Sequence, residues 1–521
     1  MKIKLLLFVF ILSTFHVVSQ TTAIPDANFE QALIDAGYDT NGLNGTILNT
    51  DAQAITYLNV ASKGISDLTG IAAFINLTDL YCSGNELSSI DITPLTALQL
   101  LRCGYNNLIS LDVSQNTSLQ ELRCNANLLT SLDVTSNTML SIFYCSFNQL
   151  SSLDISQNLD LVALECNSNL IANLDVSLHT VLDYLFCDDN LLGSMDVTNN
   201  TLLTILGCSN NNLFNIDVSQ NLDLVFFDCS QNNITTLDVT QNDALIYFDC
   251  ALNELQNIDI TQNILLQDFR CHANDFSSSG LDITQNTDLY FISCYGNSLS
   301  TLDVTQNVGL DYLACGNNQL TTLDVTQNIV LTEFYFNFNQ IDNIDVTQNV
   351  NLELILCNGN LLTDLDLSQN IALYFLNSSS NFLESLNLKN GNNTAMANTS
   401  FNATNNTNLT CITVDDEIWS VANWTNIDAQ TSFSDNCDAL SIDDFDVNET
   451  QIYPNPAKDN ITIILNNEGT YTLVSLLGKE VQHGDLLNGT NHLQINHLVN
   501  GVYIITIKTI NGFVFKKIIK Q

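Results

Sequence analysis

The sequence predicts a solenoid of α/β type dominated by β structure, with 21-residue units, followed by a small antiparallel β-sandwich. Three observations predict it: a phrase that recurs at fixed spacing, a short strand-like apolar segment inside each copy, and a change of composition near residue 451. A fixed period of roughly 20–29 residues means stacked supersecondary units, each unable to bury its apolar face alone.

The phrase reads Leu-Asp-Val-Ser-Gln-Asn at Leu111 and recurs at Leu132, Leu153, Leu174, Met195, Ile216, Leu237 and Ile258. It resumes at Leu281, Leu302, Leu323, Ile344 and Leu365, and fades at Leu386. The step is 21 residues, except for 23 between Ile258 and Leu281, where the extra residues fall in the Ser277–Gly280 stretch. Each unit carries L-x-x-L-x-C-x-x-N-x-L-x-x-L, as in Leu98, Leu101, Cys103, Asn106, Leu108 and Leu111. In Leu-x-Cys, alternation turns both side chains inward, and stacked copies pair as a parallel sheet. These residues resemble the leucine-rich-repeat family, with Cys in the place of one core Leu, over Leu58 to Leu388. The resemblance implies a parallel β-sheet on the concave face of the solenoid.

The Asn after each strand has a structural task. Its amide bonds backbone groups where the chain leaves the sheet. Asn106, Asn127, Asn148, Asn169, Asn190, Asn211 and Asn232 belong to a ladder running from Asn85 to Asn381. Thirteen of the fifteen Cys sit at the repeat position. No C-x-x-C and no Cys/His cluster accompanies them, so metal or redox chemistry fits badly. They read as buried, free thiols that act as small hydrophobes, since side chains pointing one way suit disulfide geometry poorly. Cys411 and Cys437 lie outside the ladder and are expected to form a disulfide in an exported chain.

The flanking segments divide as follows. Residues 1–20 read as a signal peptide: Lys2 and Lys4, an apolar run Leu5–Leu12, and Ser19 near a cleavage region. That run is too short for a membrane anchor, and no later stretch reaches about 20 apolar residues, so the mature chain is expected to have no integral membrane segment. Residues 21–57 form a cap with a short helix near Ile24–Ile34 and Asp26 as its N-cap. Residues 58–388 are the solenoid, 389–440 a C-terminal cap with an Asn/Thr-rich stretch, and 441–450 an acidic linker. In residues 451–521, strands are expected at Ile461–Leu465, Tyr471–Leu476, Val502–Ile510 and Phe513–Ile519, with an Asn511-Gly512 hairpin turn. This segment is similar to the C-terminal sorting domain of type IX secretion substrates. The match lies in Tyr453-Pro454-Asn455-Pro456, Gly478-Lys479-Glu480, Leu498 with Gly501-Val502-Tyr503, and Lys516 to Lys520. It implies recognition by type IX secretion machinery and transfer to the surface of a Gram-negative bacterium, secreted or attached.

Charge narrows the partners. The net is −43; residues 452–521 carry six Lys against four acids and the first twenty add two Lys, so residues 21–451 hold −47. Such a body repels nucleic acid and anionic lipid.

Two surfaces are candidates. One is an Asp row that includes Asp112, Asp133 and Asp154. Each Asp either closes its own turn through the following Ser or Thr, or shares calcium with its neighbours. The other is the outward face of the strands. There Tyr184, Phe186, Phe226, Tyr247, Arg270, Phe291, Tyr312 and Tyr335 present residue types suited to interface hot spots. Cross-strand packing would also account for them. No G-x-S-x-G, H-E-x-x-H or phosphate loop appears, and only His179 and His272 lie in the solenoid, so no catalysis and no cofactor other than calcium is expected. The sequence therefore predicts an extracellular recognition or adhesion protein that binds a protein or glycan through the concave face. The alternative is a surface-layer or matrix component stabilised by calcium on the Asp row.

Overall fold

The computed structural model describes residues 20–277, 281–437, 450–475, 478–510 and 512–521. The signal peptide up to residue 19, the Ser278–Gly280 insertion, the linker as far as residue 449, Leu476 and Asn511 of the hairpin turn lie outside the described residues. Two compact units are present.

In the first unit, each Leu-x-Cys segment contributes a strand of three residues, ending just before the Cys. Among the described residues, these strands and four at equivalent positions that lack the Cys form one parallel sheet of seventeen, each bonded to the next turn. The register follows the repeat, with Phe226 opposite Tyr247 and, across the longer unit, Asp268 opposite Phe291. The end strands Tyr57–Asn59 and Phe401–Asn402 each pair on one side. Regular turns continue through the Asn/Thr-rich stretch, and a second parallel sheet joins Asp364–Asp366, Ser385–Asn387, Cys411–Thr413 and Ser432–Ser434.

Burial follows the alternation. Leu101, Cys103, Leu122 and Cys124 are fully buried, as are their equivalents in the other turns. All thirteen ladder cysteines are free and buried. Burial pushes their thiols up, to about 12 for Cys103, Cys166 and Cys294, so they carry no thiolate at neutral pH.

Two Asn ladders run along the core. In the first, Asn127 Oδ1 accepts from Leu108 N at 2.9 Å, and its Nδ2 donates to the carbonyls of Cys103 and Cys124 at 3.2 and 3.0 Å. Each Asn thereby joins two successive turns. The second ladder is the last residue of the repeated phrase. Asn242 Nδ2 donates to Val218 O and Asn221 O, both at 2.9 Å, and the residue is fully buried. Its Oδ1 has no partner among the described residues, and the same holds for its equivalents from Asn116 to Asn370. His179 replaces Asn in one turn and keeps one bond, from Nε2 to Ile155 O at 3.0 Å. The sequence reading assigned no task to this second Asn, although it recurs as regularly as the first.

The ends of the solenoid are closed differently. Helix Ala27–Asp35 starts at Asp26, whose Oδ1 accepts from the amides of Asn28 and Phe29. Its Oδ2 accepts from Ser66 and Asp67, which ties the helix to the first turn. Glu30 is buried, with Oε1 receiving the amides of Asn44, Gly45 and Thr46; three donors compensate its desolvation. At the other end Trp424 is buried, stacks on Phe401 and donates to Met396 O at 2.9 Å. Cys411 and Cys437 are disulfide-bonded.

The C-terminal unit has two antiparallel sheets. One contains Gln451–Tyr453, Asn460–Leu465 and Gly489–Gln494. The other contains Glu480–Leu486, Gly469–Ser475, Gly501–Thr509 and Gly512–Lys520. Strands Gln451–Tyr453, Glu480–Leu486 and Gly489–Gln494 are additional to the four expected; the first is only three residues long, and the polar, Gly-containing sequences of the other two hide the alternation. Asn455, between Pro454 and Pro456, donates to Lys517 O at 2.5 Å and accepts from Ile519 N at 2.8 Å. This holds the last strand. Tyr503, two residues after Gly501, donates to Val499 O at 2.8 Å.

Candidate binding surface

The outward positions of each strand are the residues three and one before the Cys, because its middle residue points inward. Tyr184, Phe226, Tyr247, Phe291 and Tyr312 occupy the first position, and Phe186, Arg270 and Tyr335 the second. All eight lie on one sheet face and are partly exposed.

The rings form a stripe. Phe226 and Tyr247 stack at 4.4 Å with planes 5° apart, and Phe291 and Tyr312 at 4.2 Å with planes 9° apart. Tyr184 meets Phe186 at 4.9 Å, Phe186 meets Phe226 at 5.8 Å, and Tyr312 meets Tyr335 at 5.3 Å. Ring contacts of this kind contribute about 0.5–1.5 kcal/mol each beyond burial. Packing thus accounts for how the rings are held. It leaves their outer surfaces in solvent. Phe186 crosses the neighbouring strand at Gly207, where a Cβ would collide with its ring, so only glycine lets this ring reach Phe226.

Arg270 sits between the stacked pairs. Its guanidinium lies 5.3 Å from the Tyr247 ring and 4.7 Å from the Phe291 ring, and donates two bonds of 3.0 Å to Asp268. The same arrangement occurs nearer the N-terminus. Arg102 lies over Tyr81 at 5.1 Å and Arg123 over Tyr144 at 4.5 Å, with Glu121 accepting from both at 2.7 and 2.6 Å. Charge alone did not single these residues out in the sequence; their spacing by one repeat did place them on adjacent strands.

A group of carboxylates borders the aromatic stripe, and sequence reasoning did not assign it. Asp188 Oδ1 accepts from Ser209 N and Oγ at 2.8 and 2.9 Å. Asp228 and Asp249 accept from the amides of Ser230 and Ala251, both at 2.9 Å. Burial is the main cause that raises all three, with Asp188 and Asp249 reaching about 6; mutual repulsion adds to it.

The Asp row is on another face. Asp112 and Asp154 accept from the amides of Ser114 and Ser156 at 2.9 and 3.0 Å, and Asp133 from Thr135 N at 3.0 Å and its hydroxyl at 2.6 Å. One oxygen of each thus closes a turn. Among the described residues no group of three or more His, Cys, Asp or Glu is arranged to hold a metal ion. No described helix is long and apolar enough to cross a membrane.

Residues 451–521 match the family model described as a secretion system C-terminal sorting domain. The chain is similar to the functional domain of InlJ from Listeria monocytogenes, a structure described as including a cysteine ladder. The two are 26% identical, over 96% of this chain and 99% of that one, with a TM-score of 0.65. It is also similar to a leucine-rich-repeat protein of Leptospira interrogans, at 24% identity over 64% of this chain and 92% of that one, with a TM-score of 0.57. No curated protein matches the sequence. The solenoid therefore has the leucine-rich-repeat fold, and the C-terminal unit marks the chain for type IX secretion to the cell surface or the extracellular space.

Proposed function

We propose that this exported leucine-rich-repeat protein is a recognition or adhesion protein that binds a protein or glycan ligand through the concave face, the solvent side of its long parallel sheet. The observation that carries the reading is the stripe from Tyr184 to Tyr335: seven rings and Arg270 on one face, packed against one another, with their outer surfaces in solvent. Rows of partly exposed aromatic residues flanked by Arg mark interfaces, because rigid rings give contact area at low entropic cost. The sheet supplies the rigidity. The strands that carry the stripe are bonded on both sides and the core beneath them is continuous, so the ligand meets a preformed surface.

The test is capture from surface extracts and a glycan panel by the full chain, beside a variant carrying Phe226→Ser, Tyr247→Ser and Tyr312→Ser. A ligand held by the parent and lost by the still-folded variant supports the reading. Equal capture by both places the site elsewhere.

A further inference from the structure

The chain contains three arginines, Arg102, Arg123 and Arg270, and all three lie on the sheet face. Each guanidinium rests against a tyrosine or phenylalanine ring, and each is bonded to a carboxylate of the same face. The sheet thus builds one kind of niche repeatedly: an aromatic ring beside a carboxylate, with a planar cation between them. Such niches gain both from ring quadrupoles and from charge-assisted hydrogen bonds.

Between Tyr184 and Asp249 the same two ingredients recur, without a cation of their own, at three of four adjacent strands, the strand Ile205–Gly207 between them carrying neither. Phe186, Phe226 and Tyr247 supply rings, and Asp188, Asp228 and Asp249 supply carboxylates. Residues 124–269 include no Lys or Arg. The cation that acts on Asp228 and Asp249 is Arg270, whose hydrogen bonds go to Asp268. Charges this desolvated are costly unless an opposite charge reaches them. The body of residues 21–451, at −47 with these carboxylates included, repels anionic partners and attracts cationic ones at a distance.

We propose that the ligand of this face is an Arg- and Lys-rich segment of a partner protein, whose cationic side chains lie on the rings of Phe186, Phe226 and Tyr247 and against Asp188, Asp228 and Asp249. The inference rests on the reading that the sheet face binds a macromolecule, and names the chemistry of that ligand. A neutral glycan would stack on the rings and leave the carboxylates without a counter-charge. Nucleic acid and anionic lipid would face both the carboxylates and the acidic body.

The experiment uses the full chain and two fluorescein-labelled probes, a peptide of alternating Arg and Gly and one of alternating Glu and Gly. Binding is read by anisotropy near neutral pH and physiological salt. A D228N/D249N variant keeps the shape and the amide bonds of both side chains while removing two charges. A D223N/D243N variant removes two charges from exposed positions elsewhere on the solenoid. The expected result is binding of the Arg peptide alone, weakened about tenfold or more by D228N/D249N and little changed by D223N/D243N. Equal weakening by both variants, or failure of the Arg peptide to bind, overturns the proposal. Should the serine variant described above still lose a natural ligand while the Arg peptide does not bind, the sheet face remains the site and the cationic class falls. A neutral glycan captured through these rings would overturn it in the same way.

Discussion

Asn232 shows how much one ladder amide contributes. It is buried, accepts from Leu213 N at 3.0 Å, and donates to the carbonyls of Cys208 and Cys229 at 3.0 Å. These carbonyls keep a second donor when Asn232 is removed, from Asn211 to Cys208 O and from Asn253 to Cys229 O. Leu213 N has no such reserve. Asn232→Ala therefore orphans one buried N–H, at about 1–3 kcal/mol, and weakens two carbonyls by about 0.5–1 kcal/mol each, for a total of about 3 kcal/mol. Asn232→Asp keeps the acceptor for Leu213 but turns carboxylate oxygen toward two carbonyls. At pH 7 it is expected to be the worse of the two, because the charge is buried and unpaired. Protonation restores a donor, so its deficit should shrink toward pH 5 while that of Asn232→Ala stays constant. Urea unfolding followed by circular dichroism at both pH values measures this, with the loss read near the middle of the solenoid as a nearest-neighbour defect. An Asn232→Ala variant within about 0.5 kcal/mol of the parent would refute the reasoning.

Two further outcomes follow from the same geometry. Asp188 and Asp249 are raised to about 6 in the folded chain and Asp228 is raised as well, so the folded state holds these protons more tightly than the unfolded one. The melting temperature should therefore rise as pH falls from 7 toward about 5. The turn-closing Asp112, Asp133 and Asp154 are lowered by hydrogen bonds from Ser114, Thr135 and Ser156, so their contribution is lost at still lower pH, below the usual carboxylate range; a monotonic fall from pH 7 downward would contradict this. Native protein should expose none of its thirteen ladder thiols to a disulfide reagent and all of them in denaturant, with Cys411 and Cys437 appearing only after reduction. Labelling of a ladder thiol in the native state would show that the core opens.

Much of the architecture is written locally. A 21-residue period with inward Leu and Cys leaves one way to bury every unit, by stacking it on the next, so strand, register and core all follow from Leu101, Cys103 and their copies. The ladder Asn85–Asn381 was legible for the same reason, since an amide at fixed phase in a periodic chain meets the same backbone groups in each turn. The type of the eight stripe residues and the strand face they share were also determined by the sequence, through alternation alone.

What the tertiary structure decided depends on distances between turns. Whether Phe226 stacks on Tyr247, and whether Phe186 crosses Gly207, is set by rotamers and neighbouring volumes that no single unit specifies. The carboxylates of Asp188, Asp228 and Asp249 look like any other acids of a chain at −43. They differ from the turn-closing row because the sheet half-buries Asp188 and Asp228 and buries Asp249 beside rings, and a charge acquires its cost only from what surrounds it. The fate of the three arginines was fixed in the same way. One repeat of spacing put each beside a ring and a carboxylate on the same or an adjacent strand, and that contact exists only once the turns are stacked.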